Sequence, residues 1–356
     1  MNSKVAKLAL VAVAVVGLVV VVILGRNRAQ QNRMSVSTSF IMDTVIEQKL
    51  FGAQSQQAVE EIEQRLREYE QQFSMYVSDS QISNINQNAG KQYTEVSAEC
   101  LELLERAIYF CEQSNGLFDV TIAPLTSLWD ITGENPHVPA QSEIDAARQL
   151  VDYRDILIDG NRVMLRREGQ SLDLGAVAKG AACDIVREMA EEYEIQAGYV
   201  SIGGNLIVLG KTPDGQDYRF GVRDPQGDAS EYLGTLTLNG MTMATTGAYE
   251  RYFEEDGVRY HHVLDPRTGY PADSDLLSVS VISEDGLLAD CLSTSLFIEG
   301  KDAVLAKMNE SDYQLIAVDT EGNVYYSSSL AQNFTPNTQN AHEYRYVAVE
   351  EGGGEG

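Results

Sequence analysis

The run His261-His262-Val263-Leu264-Asp265-Pro266-Arg267-Thr268-Gly269-Tyr270-Pro271 brings two imidazoles, a carboxylate and a guanidinium into one short stretch. Its prolines and glycine restrict the backbone, so these polar groups are held in place rather than scattered along a mobile loop. His262 titrates near neutrality when unperturbed and is the candidate proton acceptor. Arg267 can orient Asp265 or a phosphate, and a plain turn ion pair with Asp265 is the expected role. By itself the run fits a surface turn with a capping Asp equally well.

Three further constellations ask for an anionic ligand or a cation. In Asp285-Gly286-Leu287-Leu288-Ala289-Asp290-Cys291-Leu292-Ser293-Thr294, a helical reading puts Asp290 and Thr294 one turn apart with Ser293 beside them. A carboxylate and two hydroxyls are hard oxygen donors, suited to Mg²⁺ and wrong for zinc. They interrupt an apolar helix, where an unpaired carboxylate is costly and a cation would relieve the cost. In Ser171-Leu172-Asp173-Leu174-Gly175-Ala176-Val177-Ala178-Lys179-Gly180, an extended stub meets a helix start. Helix N-termini favour anions, and Lys179 adds a point charge one turn in. The spacing is neither that of a P-loop nor G-x-G-x-x-G. Ile202-Gly203-Gly204-Asn205 lies between two strand-like segments, as either a hairpin bulge or a place of close backbone approach.

These residues need positioning elements. Val59, Ile62, Leu66, Tyr69 and Phe73 recur at helical steps, and Leu101, Leu104, Ile108 and Cys111 mark a second helix closed by Asn115-Gly116. Ile156–Ile158 and Val163–Leu165 flank Asp159-Gly160-Asn161, a hairpin signal. Leu206–Leu209, Tyr218–Val222, Leu233–Leu238 and Met241–Thr245 continue as strands, with helices after Ala176 and after Gly286. The order predicts an α+β fold with largely antiparallel sheets and flanking helices rather than a βαβ alternation.

Leu8–Gly25 carries no charge and is flanked by Lys4, Lys7, Arg26 and Arg28. As a helix it would span roughly 27 Å, enough for a hydrocarbon core. Without a clear cleavage site or a lipid-attachment cysteine, residues 1–34 read as a retained membrane anchor with a short linker, not a cleaved signal. Residues 35–345 form the expected catalytic domain, and 346–356 an acidic, glycine-rich disordered tail. The net charge of −27 argues against nucleic acid or an anionic membrane surface as partner of the soluble part. Cys100, Cys111, Cys183 and Cys291 have no metal-type spacing and read as buried small hydrophobes.

Taken in order, the segments resemble the FAD:protein FMN transferase (ApbE) family from about Met42 to Gly300. The carriers are Met42-Asp43-Thr44, Phe73-Ser74-Met75-Tyr76 with Asp79-Ser80, and Gly116-Leu117-Phe118-Asp119-Val120-Thr121-Ile122-Ala123-Pro124-Leu125 with Leu128-Trp129. They continue in Asp173 to Gly180, Ile202-Gly203-Gly204, Thr245-Thr246-Gly247-Ala248-Tyr249, the His262 to Pro271 run, and Ala289-Asp290 with Thr294. Each match is short; their shared order carries the resemblance. Two departures are Ser293, where members often have a second Asp, and Thr246, where Ser is commoner.

The resemblance implies an Mg²⁺-dependent enzyme with FAD in a cleft between two lobes. It would move FMN onto a Thr or Ser hydroxyl of an acceptor redox protein carrying a D-x-x-S-G-A-T-like segment, releasing AMP. It assigns Met42, Tyr76, Leu117, Phe118, Asp119, Asp173, Lys179 and Leu264 to the FAD site. It assigns the Ala176 carbonyl, Asp290 and Thr294 to the metal, with Ser293 beside them. The expected location is the cell membrane, with the catalytic domain extracytoplasmic. The same residues also fit an FAD pyrophosphatase giving FMN and AMP, or a non-catalytic flavin-binding protein.

Overall fold

The computed structural model describes residues 31–228 and 230–350. The apolar run expected to form the anchor lies outside them, as do residues 351–356. Among the described residues no helix is long and apolar enough to cross a membrane.

The chain opens with hairpin β1 (Met34–Ile41) and β2 (Thr44–Phe51), followed by α1 (Ser55–Phe73) and α2 (Gln81–Gln87). Then come β3 (Thr94–Glu95), α3 (Ala98–Gln113), α4 (Ala123–Trp129), α5 (Gln141–Arg148) and hairpin β4 (Ile156–Asp159) with β5 (Arg162–Leu165). Helix α6 (Gly175–Glu192) leads into β6 (Ala197–Ile202), β7 (Asn205–Gly210), β8 (Tyr218–Arg223), β9 (Tyr232–Leu238) and β10 (Thr242–Gly247). Hairpin β11 (Tyr252–Glu255) and β12 (Val258–His261) precedes β13 (Leu276–Ser283), α7 (Gly286–Glu299) and α8 (Lys301–Ala306). The last strands are β14 (Gln314–Asp319), β15 (Asn323–Ser327), β16 (Phe334–Pro336) and β17 (Arg345–Val349).

A nine-stranded sheet runs β1-β2-β6-β7-β10-β13-β14-β15-β17. Every neighbouring pair in it is antiparallel except β15–β17. This is the α+β architecture expected from the sequence. The acidic tail expected from residue 346 needs correction: β17 continues to Val349. Tyr346 donates its hydroxyl to the Leu233 and Asn337 carbonyls, and Val349 packs on a core cluster.

Helices α1 and α6 form because one face of each is apolar at helical spacing. Val59, Ile62 and Leu66 of α1 and Ala182, Cys183 and Val186 of α6 cover Ile46, Leu50, Val200 and Ile207 of the sheet. Each fully buried aliphatic side chain there contributes ~1.5–3 kcal/mol. Helix α3 is capped by Ser97, whose hydroxyl accepts from the Cys100 N–H, and it stops where Asn115 and Gly116 take positive φ. Helix α7 is apolar nearly all round because it is enclosed on both sides, by α6 and by β10 and β13.

Helices α6 and α7 meet at two glycines. A Cβ on Gly180 would lie 2.4 Å from the Gly286 carbonyl oxygen, and one on Gly286 would lie 2.5 Å from the Gly180 carbonyl oxygen. Only residues without side chains permit this approach. It brings the Lys179 and Asp290 segments, far apart in the chain, to one place.

Candidate active site

Asp290 projects from α7 at that crossing and is 3 % exposed. Its Oδ2 accepts a 2.8 Å hydrogen bond from the Gly180 N–H. Burial pushes its carboxyl above the usual carboxylate range, against the pull of the Lys179 charge, the nearby Asn205 amide and the Gly180 N–H. The hydroxyls of Ser293 and Thr294 lie one turn on, both donating to the Asp290 carbonyl. Thr246 of β10 lies across from them, 2.8 Å from the Ser293 oxygen and 3.2 Å from that of Thr294. The Ala176 carbonyl faces Cys291 Sγ at 3.9 Å, adjoining the same crossing.

This donor set suits a hard divalent cation. Among the described residues no group of three His, Cys, Asp or Glu side chains is placed to hold a metal ion. What is gathered is one buried carboxylate and the Thr246, Ser293 and Thr294 hydroxyls, hard oxygen donors as Mg²⁺ prefers, with the Ala176 carbonyl reaching the same helix at Cys291. Ser293 is already spanned between the Asp290 carbonyl and Thr246. All four cysteines are free and buried. Burial raises every thiol, Cys100 to about 12, which excludes a thiolate nucleophile.

Lys179, on the first turns of α6, sends its ammonium to the Gly203 carbonyl at 3.4 Å. That carbonyl belongs to a two-residue hairpin turn, Gly203-Gly204, with φ of +51° and +96°. Of the two readings open for Ile202-Gly203-Gly204-Asn205, the structure realises close approach without a bulge: a Cβ on Gly203 would strike the Thr44 side chain at 2.2 Å. The helix start is partly occupied by the chain's own carboxylate. Asp173 Oδ1 accepts from Gly175 N–H, and its Oδ2 from Thr126.

His262 follows β12. Its ring Nδ1 and its backbone N–H both contact the Arg251 carbonyl, at 3.2 and 3.0 Å. A carbonyl can only accept, so Nδ1 carries the proton and Nε2 keeps its lone pair. Burial, then the charges of Lys179, Arg251 and His261, lower the His262 pKa to about 3, leaving a neutral imidazole at pH 7. Lys179 therefore acts on both Asp290 and His262. Arg251 in turn donates to the Asp43 carbonyl and pairs with its carboxylate at 3.5 Å. An open cavity of about 460 Å³ lies here, lined by Phe40, Asp43, Ile131, Thr132, Glu250, Arg251 and Tyr252.

Tyr76 is 78 % exposed. Its phenol is pushed up, first by partial burial and then by the carboxylates of Asp173, Asp130 and Asp43. Met42 sits at positive φ in the β1–β2 turn, its N–H bonded to Glu70. Leu117, Phe118 and Leu264 are buried in three separate apolar clusters, so what they can offer a ligand is backbone. Asp119 has both oxygens committed: Oδ1 to the Thr121 N–H and hydroxyl, Oδ2 to the Tyr153 N–H. It holds its loop from inside.

Asp265 pairs with the Arg267 guanidinium inside the turn, as expected, and Trp129 Nε1–H donates to the Gly269 carbonyl. Arg251, Thr246, Gly180 and Asn205 stood out in no role from the sequence. Gly180, Thr246 and Asn205 lie inside sequence motifs, a usable signal; Arg251 has none.

The sequence model of the ApbE family matches residues 42–318. A Klebsiella pneumoniae FAD:protein FMN transferase is 33% identical over 308 residues, covering 86% of this chain and 95% of that protein. A Haemophilus influenzae FAD:protein FMN transferase is 34% identical over 294 residues, covering 80% and 85%. The crystal structure of the Thermotoga maritima ApbE protein superposes with a TM-score of 0.79 at 32% identity, covering 85% of this chain and 99% of that one. The flavin transferase ApbE of Vibrio cholerae gives 0.76 at 28%, with 85% and 99% covered.

Proposed function

The chain belongs to the ApbE family, and from that premise we propose that it transfers FMN from FAD to a Thr or Ser hydroxyl of a separate acceptor protein, releasing AMP. One observation carries the reading: the α6–α7 crossing sets the buried Asp290 carboxylate and the Thr246, Ser293 and Thr294 hydroxyls beside the helix start that carries Lys179. A cation-type oxygen cluster and a phosphate-binding charge thus adjoin, and His262 is the candidate base for the same reaction.

In the proposed reaction the acceptor oxygen attacks the FMN phosphorus, the bond to the AMP phosphate breaks, and the hydroxyl proton passes to His262 Nε2. The Arg251 carbonyl fixes the imidazole in the tautomer that can accept it. A pKa of about 3 makes the free imidazole a weak base. A bound pyrophosphate would offset the Lys179 and Arg251 charges, which depress it after burial, and so raise it in part. Lys179 is positioned to hold a phosphate oxygen, and exposed Tyr76 to stack on a flat ring at the rim.

Asp290, Thr294 and the Ala176 carbonyl would hold Mg²⁺, with Ser293 supporting through Thr246. The ion would supply positive charge to the leaving phosphate in a chain of net charge −27. The enzyme's contribution is otherwise positioning, as phosphoryl transfer requires. The acceptor is read as a redox protein with a D-x-x-S-G-A-T-like segment. Residues 1–34 are read as a membrane anchor that leaves the catalytic domain extracytoplasmic.

The test is intact mass spectrometry of a carrier bearing that segment, incubated with the enzyme, FAD and Mg²⁺, with AMP quantified in the same tube. A gain of one FMN mass, lost with EDTA or in Asp290→Ala, supports transfer. AMP without a mass gain replaces it by FAD hydrolysis, and neither product leaves a flavin-binding protein.

A further inference from the structure

Asn205 opens β7, a strand whose next four residues, Leu206 to Leu209, are all buried and apolar. The Asn205 side chain is itself 0 % exposed, and neither its amide oxygen nor its amide nitrogen has a hydrogen-bond partner. Among the described residues it is the one buried amide left unpartnered at both ends. Such a group costs stability, and a leucine-like residue at the head of this strand would remove the cost. An amide retained here calls for a partner that the polypeptide does not provide.

Its surroundings say which partner. Asn205 follows the Gly203-Gly204 turn, whose Gly203 carbonyl takes the Lys179 ammonium. Its amide lies close enough to Asp290 to favour the charged carboxylate. Asp290 Oδ2 is held by the Gly180 N–H, whereas Oδ1 accepts no hydrogen bond. The unpartnered amide of Asn205 and the buried Asp290 carboxylate are therefore neighbours at the oxygen cluster, tied together through the Lys179–Gly180 segment. This inference rests on the cation reading above and assigns a residue to it.

We propose that Asn205 is a positioning residue of the cation site: its amide nitrogen orients the Asp290 carboxylate, and its amide oxygen takes a hydrogen of a cation-bound water. Groups that orient a ligand in this way typically matter by roughly 10–100-fold in metal affinity. Because Asn205 is unpaired without the cation, its contribution to the stability of the metal-free protein is nil or negative.

The experiment measures Mn²⁺ binding to the full-length chain by electron paramagnetic resonance, without FAD, alongside Tm in EDTA and in Mn²⁺. Asn205→Leu is expected to weaken Mn²⁺ binding by roughly 10-fold or more, with a Tm in EDTA equal to or above that of the unaltered chain. Asn205→Asp sets a second carboxylate against Asp290. It is expected to lower Tm in EDTA and to gain more Tm from Mn²⁺ than the unaltered chain does. Asp290→Asn, which should abolish binding, is the benchmark. If Asp290→Asn loses Mn²⁺ while Asn205→Leu binds within two-fold of the unaltered chain, or Asn205→Asp gains nothing extra from Mn²⁺, the role of Asn205 is refuted and the cation reading stands. If the unaltered chain and Asp290→Asn bind alike, the cation reading fails and this inference fails with it.

Discussion

Gly180→Ala is the sharpest test of how the site is built. The added methyl would stand 2.4 Å from the Gly286 carbonyl oxygen, 2.6 Å from Asp290 Cβ and 2.9 Å from Leu287 Cα. Two of these are backbone atoms and none is the end of a flexible chain, so α6 and α7 must part by roughly 1 Å. Overpacking of this kind costs ~1–3 kcal/mol. Parting the helices also stretches the Gly180 N–H bond to the buried Asp290 carboxylate, a charged hydrogen bond worth ~1.5–3 kcal/mol. Replacing a helical glycine by alanine returns about 1 kcal/mol. The net loss is then about 1.5–5 kcal/mol. With a urea slope of ~3 kcal/mol/M, the midpoint should fall by about 0.5–1.7 M. Trp129, the single tryptophan and fully buried, is the reporter. Displacing Asp290 should also raise the Mg²⁺ concentration needed for half-maximal FMN transfer, whereas a purely global defect would not move it in the fraction still folded. A soluble Gly180→Ala with an unshifted urea midpoint and an unchanged Mg²⁺ requirement would refute the helix-crossing account.

Four other outcomes are expected. Asp290→Asn should lower FMN transfer by at least ~100-fold at fixed Mg²⁺, the scale of removing one electrostatic stabiliser of a transition state; mass spectrometry of the carrier reads it. His262→Gln should lower kcat by ~100-fold or more with little change in FAD binding, since general-base help is worth ~10²–10⁴-fold. His262 also makes stability pH-dependent. Its folded pKa of about 3 lies below the ordinary 6.5, so below pH 6.5 the unfolded chain binds the extra proton and stability falls as pH drops toward 3. At pH 5 this amounts to ~2 kcal/mol unscreened and about 1 kcal/mol after allowing for partial exposure, and urea titrations should find His262→Gln flatter between pH 6.5 and 5. Asp224 behaves in the opposite sense to a buried unpaired acid. Burial pushes its carboxyl up, but hydrogen bonds from Tyr344, the Gln226 N–H, Asn340 and His342 win and hold it below 3.8. Its stabilisation is present above pH 3.8 and is lost as pH falls below it, so Tyr344→Phe should lower Tm at pH 7 and lose part of that deficit below pH 3.8.

Local pattern was enough for much of this protein. The 3.6-residue recurrence of Val59, Ile62, Leu66, Tyr69 and Phe73 determined α1, because burying that one face is what stabilises the helix. Asp159-Gly160 determined the β4–β5 turn, because Gly160 adopts a φ of +63° that side chains disfavour. The Asp290–Thr294 helix face and the Lys179 helix start could be read from spacing, since residues one turn apart share a face whatever surrounds them. Tertiary structure alone decided how those pieces meet. No local rule says that Gly180 and Gly286 touch, that the Gly180 N–H therefore caps Asp290, or that Thr246 reaches Ser293 across strands. The same holds for protonation. The sequence offered His262 as a base near neutrality, but its desolvation on folding, and then the charges of Lys179 and Arg251 beside it, depress it to about 3. Charge, dielectric and hydrogen-bond partners depend on three-dimensional distance, which the order of residues along the chain does not contain.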